Sequence, residues 1–198
     1  MDGGEKELLE RAKNGEIEAF EKLVEGYQKK VFNIALRLIG SHDDASEAAQ
    51  EVFVKVFKSI NKFKGEAAFS TWIYSITRNV CMDELRKKKN KNVVSLDEEI
   101  KLPDGDVKRE VEDDKPTPEV ITEKNELRAV VRKAILSLSE DHKTMIVLRD
   151  LQGMSYEEIS KVFKCPEGTV KSRINRARQA LKEKLKDYRE LFSEYYVK

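Results

Sequence analysis

Residues 155–185, SYEEISKVFKCPEGTVKSRINRARQALKEKL, constrain the fold more than any other stretch. Ile159, Val162 and Phe163 recur at i, i+3 and i+4. Val170, Ile174, Ala177, Leu181 and Leu185 then repeat the helical spacing. Between the two patterns lies Lys164-Cys165-Pro166. The proline ring excludes Cys165 from comfortable α geometry, so one continuous helix is ruled out and a turn is required. Ser155 followed three residues later by Glu158 is a capping box, which fixes where the first helix begins. Two short helices joined by a tight turn make a helix-turn-helix.

The second helix keeps Val170, Ile174 and Ala177 for its apolar stripe. Its other sides carry Thr169, Lys171, Ser172, Arg173, Asn175, Arg176 and Arg178. Arg can pair with a guanine edge and Asn with adenine, while Lys and Ser hold phosphates, so the face suits a DNA major groove. A solvated basic face has the same composition. The preceding helix and turn favour the groove.

The chain has 198 residues, enough for one or two domains. Charged residues make up 38%, yet the net charge is only +1. Any nucleic-acid signal therefore lies in how the charges are segregated, not in their sum. Cys81 and Cys165 stand far apart with no CxxC spacing, and His42 and His142 are isolated. Neither a metal site, a disulfide framework nor a cofactor is expected. A Gly-rich phosphate loop, paired His ligands and a Ser/His/Asp set are all missing, so an enzyme is not expected. The N-terminal residues lack an apolar signal core, and no apolar run reaches membrane-span length. The expectation is a soluble, cytoplasmic chain.

Upstream, the periodicity predicts a short helix over 5–14 with Leu8, Leu9 and Ala12 inward, stopped at Asn14-Gly15. A second helix is predicted over about 17–38, its stripe formed by Ile17, Phe20, Val24, Tyr27, Val31, Ile34, Ala35 and Leu38. A third, over 44–60, buries Ala45, Ala48, Ala49, Val52, Phe53, Val56 and Ile60. Its outer face holds Glu47, Gln50, Glu51, Val54 and Lys58, which fits either a solvated surface or a dock for a basic partner helix. After the loop Asn61–Glu66 comes a fourth helix, about 69–89, with Phe69, Ile73, Ile76 and Val80 inward and Tyr74, Arg78, Asn79 and Met82 projecting elsewhere. It ends in a cationic run, Arg86 to Lys91, favourable at a helix C-terminus and also suited to single-stranded nucleic acid. Trp72 fits a core position better than a stacking platform. From 93 to about 121 the periodicity stops, prolines and acids accumulate, and a flexible acidic linker is expected. Fully extended, it could reach roughly 100 Å. Helical pattern resumes at Thr122, and Ser139 is placed to cap the next helix. The segment 188–198 has no assigned role.

With both halves in view, the chain resembles bacterial sigma factors of the sigma-70 family, extracytoplasmic function group. The first block is DDASEAAQEVFVKVFKSINKF followed by GEAAFSTWIYSITRNVCMDELRKKK; the second is LSLSEDHKTMIVLRDLQGMSYEEISKVFKCPEGTVKSRINRARQALKEKL. The resemblance implies an all-α fold of two helical domains on a flexible linker: region 2 over 1–92, linker over 93–121, region 4 over 122–187 and a tail over 188–198. It implies that region 2 docks on core RNA polymerase through Asp44, Glu47, Gln50, Glu51 and Val54. It implies that the −10 element is opened and its extruded bases held by Lys62, Phe63, Lys64, Ala67, Ala68, Arg78, Asn79, Met82 and Arg86. The polar face of the recognition helix, from Thr169 to Arg178, would read the −35 element. The implied partners are core RNA polymerase, promoter DNA and an anti-sigma factor, which in this family is often membrane-anchored. A one-component helix-turn-helix regulator is the alternative. The acidic pair Asp83-Glu84 departs from the pattern and restricts DNA contact to part of the fourth helix.

Overall fold

The computed structural model describes residues 3–92 and 118–188. Among the described residues there is no strand, in agreement with the all-α expectation. The N-terminal half is built from α1 (Gly3–Lys13), α2 (Ile17–Ile39), α3 (His42–Ser59) and α4 (Phe69–Asn92), with a 3₁₀ turn at Ile60–Lys62. The C-terminal half holds α5 (Pro118–Leu136), α6 (Glu140–Ile146), a π turn (Val147–Leu151), α7 (Tyr156–Phe163) and α8 (Glu167–Lys184), followed by a 3₁₀ turn at Lys186–Tyr188.

α2 is the central helix of the first half and packs against α1, α3 and α4. Val31, Ile34, Ala35 and Leu38 are fully buried along it. It stops at Gly40, whose φ of 90° is left-handed and whose N–H returns to the Leu36 carbonyl. The left-handed turn favours glycine, and a Cβ there would also press on the Leu136 methyls of α5 at 3.1 Å, which would have to shift slightly. α3 then opens on Ser41, which accepts from the Asp44 N–H, with Asp43 and Asp44 in the first turn where the dipole favours acids.

In the second half the predicted capping box is formed: the Ser155 side chain accepts from the Glu158 N–H, and Glu158 accepts from the Ser155 N–H. α7 ends at Lys164 in left-handed conformation, φ 50°, and Pro166 serves as the N-cap of α8. Val170, Ile174 and Ala177 of α8 are completely buried. α8 packs mainly on α6 and α7, which closes the helix-turn-helix into a small core.

Several expectations need correction. Ile17, the first residue of α2, is 60% exposed. Phe53 and Ile76 are only half-buried. Tyr74 and Met82 do not project outward but are buried. α4 is covered by α2 and α3 on one side and by α7 on another, so its burial does not follow one stripe. Ser139 is the N-cap of α6 but makes no side-chain cap bond. α5 begins at Pro118, before the predicted Thr122, with proline in the first turn where its missing N–H costs nothing. The remainder of the expected linker and the segment beyond 188 lie outside the described residues.

Candidate nucleic-acid interface

The recognition helix presents Lys171, Asn175, Arg176 and Arg178 as exposed residues, with Thr169, Ser172 and Arg173 half-buried beside them. Two of these side chains already have work within the fold. Ser172 donates to the Thr169 carbonyl at 2.9 Å, which uses its hydroxyl hydrogen on the helix itself. Arg178 makes a two-pronged pair with Asp150 of the π turn, its Nε at 3.2 Å from Oδ2. The pair holds the Arg178 guanidinium even more firmly protonated than usual, through the hydrogen bond first and the charge second. Asp150 thus aims Arg178 back toward the π turn, while Lys171, Asn175 and Arg176 remain directed outward. Arg149, next to Asp150, lies over the Tyr156 ring at 4.6 Å and donates to the Met154 carbonyl, which braces the approach to α7.

A second surface is formed by α4 and the loop before it. Lys62, Lys64 and Ala68 are exposed and Ala67 is half-buried. Phe63 is not part of that surface: it is 5% exposed, with its ring 5.7 Å from Phe69 and 5.2 Å from Trp72. It anchors the loop rather than offering a stacking face. Met82 is equally buried, so its side chain presents nothing to a strand. Asn79 is exposed, and Arg78 Nη1 donates to its Oδ1 at a long 3.4 Å. Arg86 is exposed and pairs with Asp83 at 3.6 Å. The Asp83-Glu84 pair is thereby answered by the run that follows it, Glu84 bonding Lys87 at 2.5 Å.

A third surface is the outer face of α3. Glu47, Gln50 and Val54 are exposed, and Asp44 and Glu51 half-buried. Burial alone pushes the Asp44 carboxyl up, but bonds from Lys88 and Ser41 outweigh it and hold it below the ordinary aspartate value. Glu51 is held low by Lys55, 2.7 Å away. Val54 is 50% exposed among these acids and Phe57 49%, the latter edge-on to Phe20 at 5.0 Å. An exposed apolar pair with acids on its N-terminal side and Lys55 and Lys58 beside it fits a protein-docking face better than a nucleic-acid one. Sequence periodicity placed Val54 here but missed Phe57.

Sigma-70 region 2 matches residues 23–91, and Sigma-70 region 4 matches residues 128–181. The chain is 39% identical over 183 residues to the ECF RNA polymerase sigma-E factor of Haemophilus influenzae, covering 90% of this chain and 93% of that one. The chain belongs to the sigma-70 family, extracytoplasmic function group. The RNA polymerase sigma-H factor of Pseudomonas aeruginosa is similar at 36% over 185 residues, 91% of this chain and 93% of that one. The fold is shared with the sigma factor RpoE of Bartonella quintana, solved with the anti-sigma factor NepR, at TM-score 0.64 and 24% identity over 84% of this chain and 96% of that one. It is shared also with CnrH, solved with the cytosolic domain of CnrY, at TM-score 0.66 and 23% identity over 93% and 99%. The region 2 match takes in α3 and α4, and the region 4 match takes in α6, α7 and nearly all of α8. All three surfaces therefore lie inside the family's own segments. Among the described residues no helix is long and apolar enough to cross a membrane, and no cluster of three His, Cys, Asp or Glu side chains is placed to hold a metal ion.

Proposed function

We propose that this sigma factor docks on core RNA polymerase through the α3 face, reads the −35 element with α8 and opens the −10 element with α4 and its loop. One observation carries the reading: a single chain presents a basic, amide-bearing recognition helix and, on a separate domain, an exposed apolar pair with acids beside it. The first face suits DNA and the second suits a protein. Region 2 is assigned to residues 1–92 and region 4 to residues 122–187, the helix α5 that leads into region 4 starting at Pro118. The factor adds specificity and performs no bond chemistry of its own. Its place of action is the cytoplasm, where promoter DNA lies. RpoE was solved with the anti-sigma factor NepR and CnrH with the cytosolic domain of CnrY, and an anti-sigma factor is the corresponding expectation here.

Run-off transcription with purified core polymerase, with and without the chain, tests the proposal. Promoter-specific transcripts only in its presence support it. A one-component regulator would leave the transcripts of core enzyme alone unchanged.

Two substitutions separate base reading from backbone binding. Arg176→Ala should relax specificity at one −35 base pair by about 1–3 kcal/mol, whereas Lys171→Ala should weaken every sequence alike and flatten the salt dependence. Electrophoretic titration of a −35 duplex and its single-base variants checks both. Uniform weakening by Arg176→Ala would assign that residue to phosphate instead.

Asn79→Ala should slow promoter opening about tenfold while closed-complex binding holds. An exposed amide offers a donor and an acceptor to an extruded base, and losing such bonds costs about 1–2 kcal/mol. A template pre-melted across the −10 element checks the assignment, because the loss should then depend on the identity of one base. Equal affinity for all four bases, in wild type and variant, would sink it.

A further inference from the structure

Lys171, Asn175 and Arg178 stand at i, i+4 and i+7 on α8, so one stripe of the helix carries all three. Arg178 follows Asn175 by about 4.5 Å along the axis, close enough for a helix in a groove to bring it to a phosphate. Its guanidinium is nevertheless engaged by a carboxylate. Nε donates to Asp150 Oδ2 at 3.2 Å, and Nη2 donates to Oδ1 of the same group. Two parallel bonds of this kind fix direction, and the pair carries no net charge. The carboxylate comes from the π turn. There the Gln152 N–H bonds the Val147 carbonyl at 3.0 Å, one residue further back than an α-helical bond would reach. Arg149, also in that turn, is engaged elsewhere, over the Tyr156 ring and on the Met154 carbonyl. The Asp150 carboxylate is therefore left to a cation of the recognition helix.

We infer that Asp150 is a specificity-determining residue of the DNA-reading surface: it holds and neutralises Arg178, and so subtracts one sequence-independent phosphate contact from a helix that reads bases with Asn175 and Arg176. The inference rests on the proposed reading of α8. A phosphate contact strengthens binding to every duplex and carries no sequence information. One more free cation on this stripe would therefore raise the affinity of all competing sites. On unrelated DNA the helix can settle in whichever register suits that cation best. On its own element Asn175 and Arg176 fix the register, so the same cation gains less. Removing it thus costs unrelated DNA more than the target. The pair adds little to the fold, since the Arg178 side chain is 47% exposed and that of Asp150 32%. Its main effect falls on the charge that α8 presents.

The test uses the full chain and fluorescence anisotropy of two labelled probes, a mixed-sequence duplex and a −35 duplex, over a salt series. Asp150→Asn should tighten binding to the mixed duplex roughly eightfold at 0.1 M salt and steepen the slope of log affinity against log salt by about 0.9, the increment for one added phosphate contact. The −35 duplex should gain less, so discrimination falls. Asp150→Glu keeps the charge and should stay close to wild type. Adding Arg178→Gln to Asp150→Asn should cancel the gain, because no freed guanidinium remains. A pair that only braces the helix predicts the opposite sign, with Asp150→Asn weakening both duplexes. Weaker or unchanged binding, an unchanged slope, equal gains on the two duplexes, or a gain that survives in the double variant would each overturn the inference. So would an Asp150→Asn chain that circular dichroism shows to be unfolded at the assay temperature. The two readings fail separately. Wild-type protein that binds both duplexes equally removes the reading of α8, and the double-variant comparison on the mixed duplex still decides whether Asp150 holds Arg178 from phosphate.

Discussion

Phe69→Ala is expected to cost about 3–5 kcal/mol of stability in the N-terminal half, the range for removing a fully buried aromatic ring. Phe69 is completely buried at the start of α4. Its ring packs edge-on to Tyr27 at 5.4 Å and Phe63 at 5.7 Å, and lies 5.7 Å from Trp72. The void would therefore open among rigid rings on α2, α4 and the loop, which have few rotamers with which to fill it. A domain of this size has only about 5–15 kcal/mol in total, so the loss is a large share. Function would follow stability, because Phe63 and Phe69 clamp the two ends of the loop that carries Lys64, Ala67 and Ala68. Phe69→Leu keeps most of the volume and should cost less than about 1.5 kcal/mol. Urea denaturation followed by circular dichroism measures both. A loss below 1 kcal/mol for Phe69→Ala would mean that the site collapses, and that the loop is not anchored as described.

That clamp marks where reading the sequence succeeded and where it failed. Phe69 was legible as core because it starts a run at four, three and four residues. Phe63 was not, because it sits in a loop where periodicity carries no information, and its burial depends on rings distant in sequence. The helix-turn-helix was legible in detail: the Ser155–Glu158 box and the Pro166 break are local chemistry, settled within four residues. The π turn at Val147–Leu151 had no such local signature, and with it the Arg178–Asp150 pair was hidden. Sequence assigned Arg178 to the outward face by position alone. Met82 and Tyr74 failed for a related reason. A single stripe predicts burial on a helix packed on one side, and α4 is packed by elements from both halves of the chain. The α3 face lies between these cases. Its residues were placed correctly on the outside, but composition alone fitted solvent as well as a partner. The half-exposed Val54 and Phe57 beside the acids are what favour a partner.

The larger functional effect is expected at that face. Glu47→Lys with Glu51→Lys should weaken binding to core polymerase by several kcal/mol, on the order of a hundredfold or more, because like charges placed against a basic docking surface cost that much. Glu47 is exposed, so its reversal leaves the core untouched. Glu51 pairs with Lys55 one turn along the same helix, a surface pair worth about 0.3–0.5 kcal/mol, so the fold should survive its loss. The pair's own cation predicts a graded outcome. Glu51→Gln leaves Lys55 without its partner and removes one attractive charge, so a smaller loss is expected than for reversal. Asp44 provides the internal contrast. It is tied to Lys88 of α4, and its replacement should disturb the packing of α3 on α4 as well as docking. Association measured against ionic strength separates steering from contact. If the acids act by charge, the wild-type advantage should shrink as salt rises, since exposed charges are screened beyond about 10 Å at 0.1 M. The apolar pair Val54 and Phe57 should hold its contribution in the same titration. Double-reversal protein that binds core polymerase with wild-type affinity at every salt concentration would place the docking surface elsewhere on region 2.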